Sequence, residues 1–302
     1  MPGTLLHQDG AKGMDLSARR QPPTVRLRRL ASELRGLRTA AGLTREDVAE
    51  QTNINAATLY RIETAKVRPQ RRTLLALLDH YGVTDEGQRA DLIALSRQAA
   101  QLGWLQQYED ELPEQYTTYI SFEAEARSVR NYESLFVPGL LQTEGYARAV
   151  IRGVLPLASD GDVERRTEAR MQRQGVLRRK NPLRLWAIVD EAVLHRRVGG
   201  AEVMAEQLQT LVEAARQPHI TLQVIPFASG AHAGMPGSFV VMDFPDAADP
   251  ALVYIDSMAG DLFLEREPDV RRYTITFEHL QATALDPASS VQMIEAQVDA
   301  IK

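Results

Sequence analysis

Between Thr44 and Glu63 two short stretches of helical period are separated by only three residues, Asn53-Ile54-Asn55. So tight a connection leaves two helices almost no freedom in their crossing, and that geometry is a helix-turn-helix. The local punctuation agrees. Thr44 stands at an N-cap with Asp47 three residues on, a shortened capping box, and Asn55 caps the second helix. Asn53 falls where a left-handed residue would end the first, a conformation asparagine tolerates better than most. Val48 and Ala49 face inward, while Leu59 and Ile62 pin the second helix.

The surroundings extend this pair into an all-helical domain over residues 25–102. A first helix carries Leu27, Leu30, Ala31, Leu34 and Leu37 on one stripe and ends at Gly42. A fourth runs from about Arg71 to Tyr81 with Leu74, Leu75, Leu77 and Leu78 buried, and Asp85 opens a fifth toward Gln101. Residues 1–24 lack any apolar period and read as a flexible arm, with Met14 an alternative start to Met1. No apolar run approaches the ~20 residues of a membrane helix and no leader is evident, so a cytoplasmic protein is expected. The absence of cysteine removes disulfides, thiolate metal sites and cysteine nucleophiles.

Charge divides the chain in the same way. The net charge is −5, yet residues 1–103 carry 16 basic and 11 acidic side chains, and within 19–72 the ratio sharpens to 13 against 5. A basic surface of this kind is the footprint of a phosphate-binding face. The second helix of a helix-turn-helix lies in the major groove, so its early exposed positions, Ala56, Ala57, Tyr60 and Arg61, meet base edges. Arg61 alone among them can grip a guanine with two hydrogen bonds. The alanines offer apolar contact to a thymine methyl, and Tyr60 either touches a phosphate or packs locally. Arg45 is expected on the DNA backbone and Arg68, Arg71 and Arg72 on the backbone or in the minor groove, and Asn55, Thr58 and Lys66 complete the expected DNA-contacting set.

Arg45, Val48, Ala49, Asn53, Ile54, Leu59, Ile62 and Glu63 stand in the order and spacing of the Xre/Cro type of DNA-binding domain, which this region resembles. The resemblance implies a five-helix, lambda-repressor-like fold. It also implies that Arg38 and Glu63 form a structural pair bridging the first helix to the end of the third. Arg45 departs from the family's usual glutamine, so the family's amide-based contact does not carry over.

Beyond Leu102 aromatic residues accumulate from Trp104 to Tyr132 and the balance turns acidic, marking a second domain over 103–302. Helical periods recur at about 117–134, 143–153 and 160–179. Leu183–Val189, Ile220–Phe227, Ser238–Phe244 and Leu252–Ile255 read as strands of a small, mainly antiparallel sheet, with Ala201–Arg216 an amphipathic helix. Asp286-Pro287 opens a last helix through Ile301. The fold class expected is therefore α+β overall.

Five segments carry a second resemblance: Val137–Thr143, Tyr146–Arg148, Arg170–Gln174, Asp190–Leu194 and Val224–Phe227. They are similar to the C-terminal domain of the actinobacterial Scr-type antitoxin-like regulators. That resemblance implies transcriptional control, often alongside a small acidic protein encoded nearby.

Enzyme motifs are missing. Ser238 follows Gly237, but Val240 stands where a nucleophile elbow needs glycine, and no P-loop, H-E-x-x-H or G-x-G-x-x-G occurs. His195, His219, His232 and His279 lack ligand spacing, and Asp190-Glu191 reads as a cap for the following helix. The reading thus assigns no catalytic residue, metal or cofactor. The loop holding Gly230, His232, Gly234 and Gly237 is the candidate sensing or partner surface. The expectation is a dimeric regulator of double-stranded DNA on a palindromic operator, its large domain sensing a ligand or small protein. The alternative is an antitoxin-like protein that sequesters a small cognate protein and binds DNA for autoregulation.

Overall fold

The computed structural model describes residues 24–98, 105–108, 112–246, 249–257 and 260–301. Two expectations, the arm before Thr24 and the boundary at Leu102 with Trp104, lie outside the described residues.

The front domain holds helices α1 (Val25–Ala40), α2 (Arg45–Gln51), α3 (Ala56–Glu63), α4 (Arg71–His80) and α5 (Glu86–Gln98). Leu30, Leu34, Val48, Leu59, Ile62, Leu74, Leu77 and Leu78 form its core, the positions the 3.6-residue period picks out. Ala49 and Leu75 are only half-buried at its edge. The capping box is complete: the Asp47 N–H donates to the Thr44 hydroxyl at 3.1 Å and the Thr44 N–H to the Asp47 carboxylate at 2.7 Å. Asn55 accepts from the Thr58 N–H at 2.7 Å, and Asp85 from the Gln88 N–H at 2.6 Å. Each cap supplies a partner to an otherwise orphaned helix donor.

The left-handed stop expected at Asn53 is not there. α2 ends instead because Thr52 is extended (φ −130, ψ 165), its hydroxyl turned back to the Val48 carbonyl at 2.6 Å. Among the described residues the one non-glycine with positive φ is Ala65 (φ 56), which ends α3. There the Lys66 and Val67 N–H groups return to the Arg61 carbonyl while the methyl buries against Leu27 and Ala31 of α1.

The larger domain is a six-stranded mixed sheet covered on both faces. Its elements are α6 (Glu114–Glu125), β1 (Ser128–Glu133), α7 (Glu144–Val154), α8 (Asp160–Arg173), β2 (Arg184–Asp190), α9 (Ala192–His195), α10 (Ala201–Ala214), β3 (Ile220–Ile225), β4 (Phe239–Asp243), β5 (Leu252–Ile255), β6 (Leu262–Leu264), α11 (Glu267–Thr283) and α12 (Pro287–Ile301). Strand order is β3-β2-β1-β4-β5-β6, parallel through β1, β2 and β3 and antiparallel across the other three pairs.

One face, with Val129, Leu185, Val189, Val224, Met242 and Leu252, packs against Ile120, Phe122, Val150, Leu208 and Ile294 of the helices. The other, with Tyr132, Ile188, Val241 and Val253, packs under Phe277 and Leu280 of α11. Burial on both sides explains why β2, β3, β4 and β5 read as near-continuous apolar runs, whereas β1 does not. The outer edge of β3 is closed by the Leu285 N–H on the Val224 carbonyl and by the Val224 N–H on the Ser290 hydroxyl.

The helix expected over 117–134 is two elements. α6 stops at Ala126, and Ser128–Glu133 become the central strand β1, hydrogen-bonded to both β2 and β4. Likewise α8 ends at Arg173 and continues as a 3-10 turn, Gln174–Leu177, short of the expected 179.

α1 belongs to both domains. Val25 lies in the core of the larger one, and the Arg28 guanidinium sits 4.9 Å over the Phe122 ring of α6. Arg28 also pairs with Glu265, Arg29 with Asp246 and Arg26 with Glu125 at 3.8 Å. Burial lifts the Glu125 carboxyl to about 7 against the pull of Arg26, with Asp249 the other acid nearby. Its folded value lies above its unfolded one, so it favours folding at low pH and that contribution is lost as pH rises through about 7. Glu125→Gln is therefore expected to melt above the wild type near pH ~8 and to converge with it near pH ~4.5, as thermal unfolding across pH will show.

Candidate nucleic-acid interface

Glu63, the last residue of α3, has a fully buried side chain. Its carboxylate takes the Arg38 Nε at 2.6 Å and Nη2 at 3.2 Å, a two-pronged bond, and the Arg45 Nε at 2.7 Å. Arg38 also donates to the Leu43 carbonyl at 2.6 Å. One carboxylate thereby joins the end of α1, the start of α2 and the end of α3. The bond to Glu63 holds the Arg38 guanidinium above its ordinary value despite burial. The pair bridges α1 to the end of α3.

Arg45, expected on the DNA backbone, is partly drawn into this brace. Its side chain keeps about a third of its surface, 32%, and its guanidinium lies 5.2 Å over the Tyr60 ring. Lys66 approaches the same ring at 5.7 Å, so Tyr60 packs locally while remaining 46% exposed.

Along α3, Ala57, Tyr60 and Arg61 are exposed and Ala56 and Thr58 half-exposed. Arg61 donates to the Thr58 hydroxyl at 3.2 Å. Lys66, Arg71 and Arg72 are exposed beside it, whereas Arg68 is half-buried and donates to the Ser96 carbonyl of α5 at 3.3 Å. Among the described residues nothing covers the outward face of α3. The basic footprint is narrower than the count over 19–72 suggested, because Arg26, Arg28, Arg29 and Arg38 are engaged with carboxylates.

The glycine loop of the larger domain is locked. The Gly234 N–H donates to His232 Nδ1 at 3.2 Å, so Nε2 carries the proton toward Asp190, also at 3.2 Å. A Cβ on Gly234 would stand 2.4 Å from the buried Tyr132 ring. Asp190 accepts from the Ala192 N–H at 2.9 Å, capping α9 as expected, and Glu191 takes the Phe227 N–H at 2.6 Å. Gly237 lines the large cavity described below, whereas Gly230, His232 and Gly234 do not. Among the described residues no cluster of three His, Asp or Glu side chains could hold a metal ion.

The helix-turn-helix domain family matches residues 29–92, and the domain of unknown function DUF5753 matches residues 116–296, more than half of the chain. The chain belongs to the DUF5753 family. Its helix-turn-helix domain marks it as a DNA-binding protein. No curated protein and no solved structure matches it. Among the described residues no helix is long and apolar enough to cross a membrane.

Removing one partner of a buried charge cluster leaves the others desolvated and unpaired. Glu63→Ala is expected to cost the front domain about 3 kcal/mol and to lower DNA affinity for all sequences alike. Circular-dichroism melting and mobility-shift titration check the two halves.

Proposed function

We propose that this protein is a sequence-specific transcriptional regulator that binds a palindromic operator as a dimer, its DUF5753 domain serving as sensor. The observation that carries the reading is the face of α3 left uncovered among the described residues, with Arg61 exposed on it and Glu63 anchoring its far end. A single α3 reads one half-site, and two must be held about 34 Å apart to read a full one. The DNA-contacting set is Ala56, Ala57, Thr58 and Arg61 toward bases, with Tyr60 beneath Arg45 and Lys66 beside them. Asn55, Lys66, Arg71 and Arg72, with the outer nitrogens of Arg45, face the backbone, and Arg68 stands behind them as support for α5.

A second reading has one observation in its favour. At the end of α7 and in the turn after it, Val154 is 58% exposed and Leu157 98% exposed, an apolar patch of the kind that protein partners cover. On that reading the protein sequesters a small cognate protein and binds DNA for autoregulation. A partner co-purified from the native host that releases DNA on addition supports a switch, and one that leaves the DNA bound supports a tether.

Selection of bound sequences followed by mobility-shift titration tests the main reading. Arg61→Ala is expected to relax preference at one base position of each half-site, by roughly 1–3 kcal/mol of discrimination. Arg71→Ala should weaken all sequences equally and reduce the salt dependence by about one phosphate's worth. Unchanged preference in Arg61→Ala contradicts the assignment.

A further inference from the structure

The larger domain holds a half-open cavity of about 640 Å³ between α6, α7, α8 and the sheet. That volume lies within the range of small-molecule sites. Its walls differ in charge. Arg166, Arg170 and Arg173 stand at i, i+4 and i+7 of α8, so all three project from one face into the cavity.

Arg173 is neutralised in place. Its Nε lies 2.8 Å from the buried Glu123 carboxylate, Nη1 donates to the Tyr116 hydroxyl at 3.1 Å, and the guanidinium lies 5.0 Å over the Tyr119 ring. Gly139 leaves room for it, since a Cβ there would meet Nη2 at 2.4 Å.

Arg170 and Arg166 differ. Arg170 donates to the neutral Gln142 amide oxygen at 2.9 Å, and its Nε is buried without a hydrogen-bond partner among the described residues. Neither meets a carboxylate within ion-pair distance among those residues. Arg170 also bonds the Tyr116 hydroxyl and feels the charge of Glu123, but that carboxylate is paired with Arg173. Two half-buried guanidiniums thus face the cavity with no carboxylate of their own among the described residues, and one keeps an unfilled buried donor.

Across the cavity stand Asn131 and Glu133 of β1 and Asp256 and Asp261 beyond β5. Burial lifts the Glu133 carboxyl to about 7, opposed by hydrogen bonds from Ser238 and Asn131. Asp261 is raised by burial and by Asp256 beside it. This wall suits hydrogen-bond donors. Tyr119, Val150 and Ile151 supply apolar surface between the two.

The geometry points to a binding site for a small organic anion, its carboxylate or phosphate held by Arg166 and Arg170 and a donor at its other end facing Glu133. The signal route rests on the regulator reading: α6 carries Tyr116 and Tyr119 on the cavity and, further along, Phe122 and Glu125, on which α1 is docked. The occupied cavity thus bears on the helix that begins the DNA-binding domain.

Titration calorimetry on the full chain, without DNA, tests the site by itself. The probes are 4-hydroxyphenylacetate, which carries a carboxylate, a ring and a hydroxyl, and inorganic phosphate. The site predicts one-to-one binding of the aromatic acid in competition with phosphate. Arg166→Gln and Arg170→Gln should each weaken it tenfold or more, with Arg170→Lys recovering part of the loss. Should the glutamine variants unfold, the lysine variant keeps the comparison decisive.

Failure of both anions to bind at millimolar concentration overturns the site, as does unchanged affinity in the arginine variants. Operator affinity with and without bound probe is a separate arm. Binding that leaves the DNA affinity unaltered overturns the route through α6 alone, and loss of DNA binding without any probe bears on the regulator reading alone.

Discussion

The arrangement of the front domain depends on a single buried carboxylate. Glu63 is stripped of water, so its charge is tolerable only because Arg38 and Arg45 complete its hydrogen bonds. Those arginines come from two other helices, and satisfying the carboxylate fixes how α3 projects from the domain. Apolar packing through Leu59 and Ile62 supplies most of the attraction, but it is non-directional. The ion cluster adds direction, since its hydrogen bonds fix the orientation of α3 relative to α1 and α2.

A second constraint runs through α1. Its middle and end pack within the front domain, whereas its first turn is seated on the larger one through Val25, Arg26, Arg28 and Arg29. The two domains thus share an element, and α6 lies on the line from that element to the interior cavity. The charge pattern gains a second meaning from this arrangement. Basic residues that by count look like one phosphate-binding surface divide into cations that bind the larger domain and cations that remain beside α3.

What could be read from the sequence was local. Caps at Thr44, Asn55 and Asp85 act within three residues, and the stripe from Leu30 to Leu34 needs only helical periodicity, so the helix-turn-helix was legible. Asn53 was misread because the side chain that ends α2 is Thr52, through a bond to Val48 in an extended backbone, and the left-handed position fell to Ala65. β1 hides in an expected helix because Ser128, Arg130, Asn131 and Glu133 leave only Val129 and Tyr132 apolar, too little to mark a central strand. Arg28 and Arg29 find partners more than 200 residues away, which no spacing along the chain reveals. The arginine spacing on α8 was visible, but the cavity it faces exists only once α6, α7 and the sheet have closed around it.

The central claim is that α3 reads DNA from the major groove. Methylation protection on a selected operator tests it most directly, because guanine N7 lies in that groove. The account expects N7 protection in two successive major grooves on one side of the duplex, lost at one guanine per half-site in Arg61→Ala. Protection confined to the minor groove, or unaltered by that substitution, would contradict it.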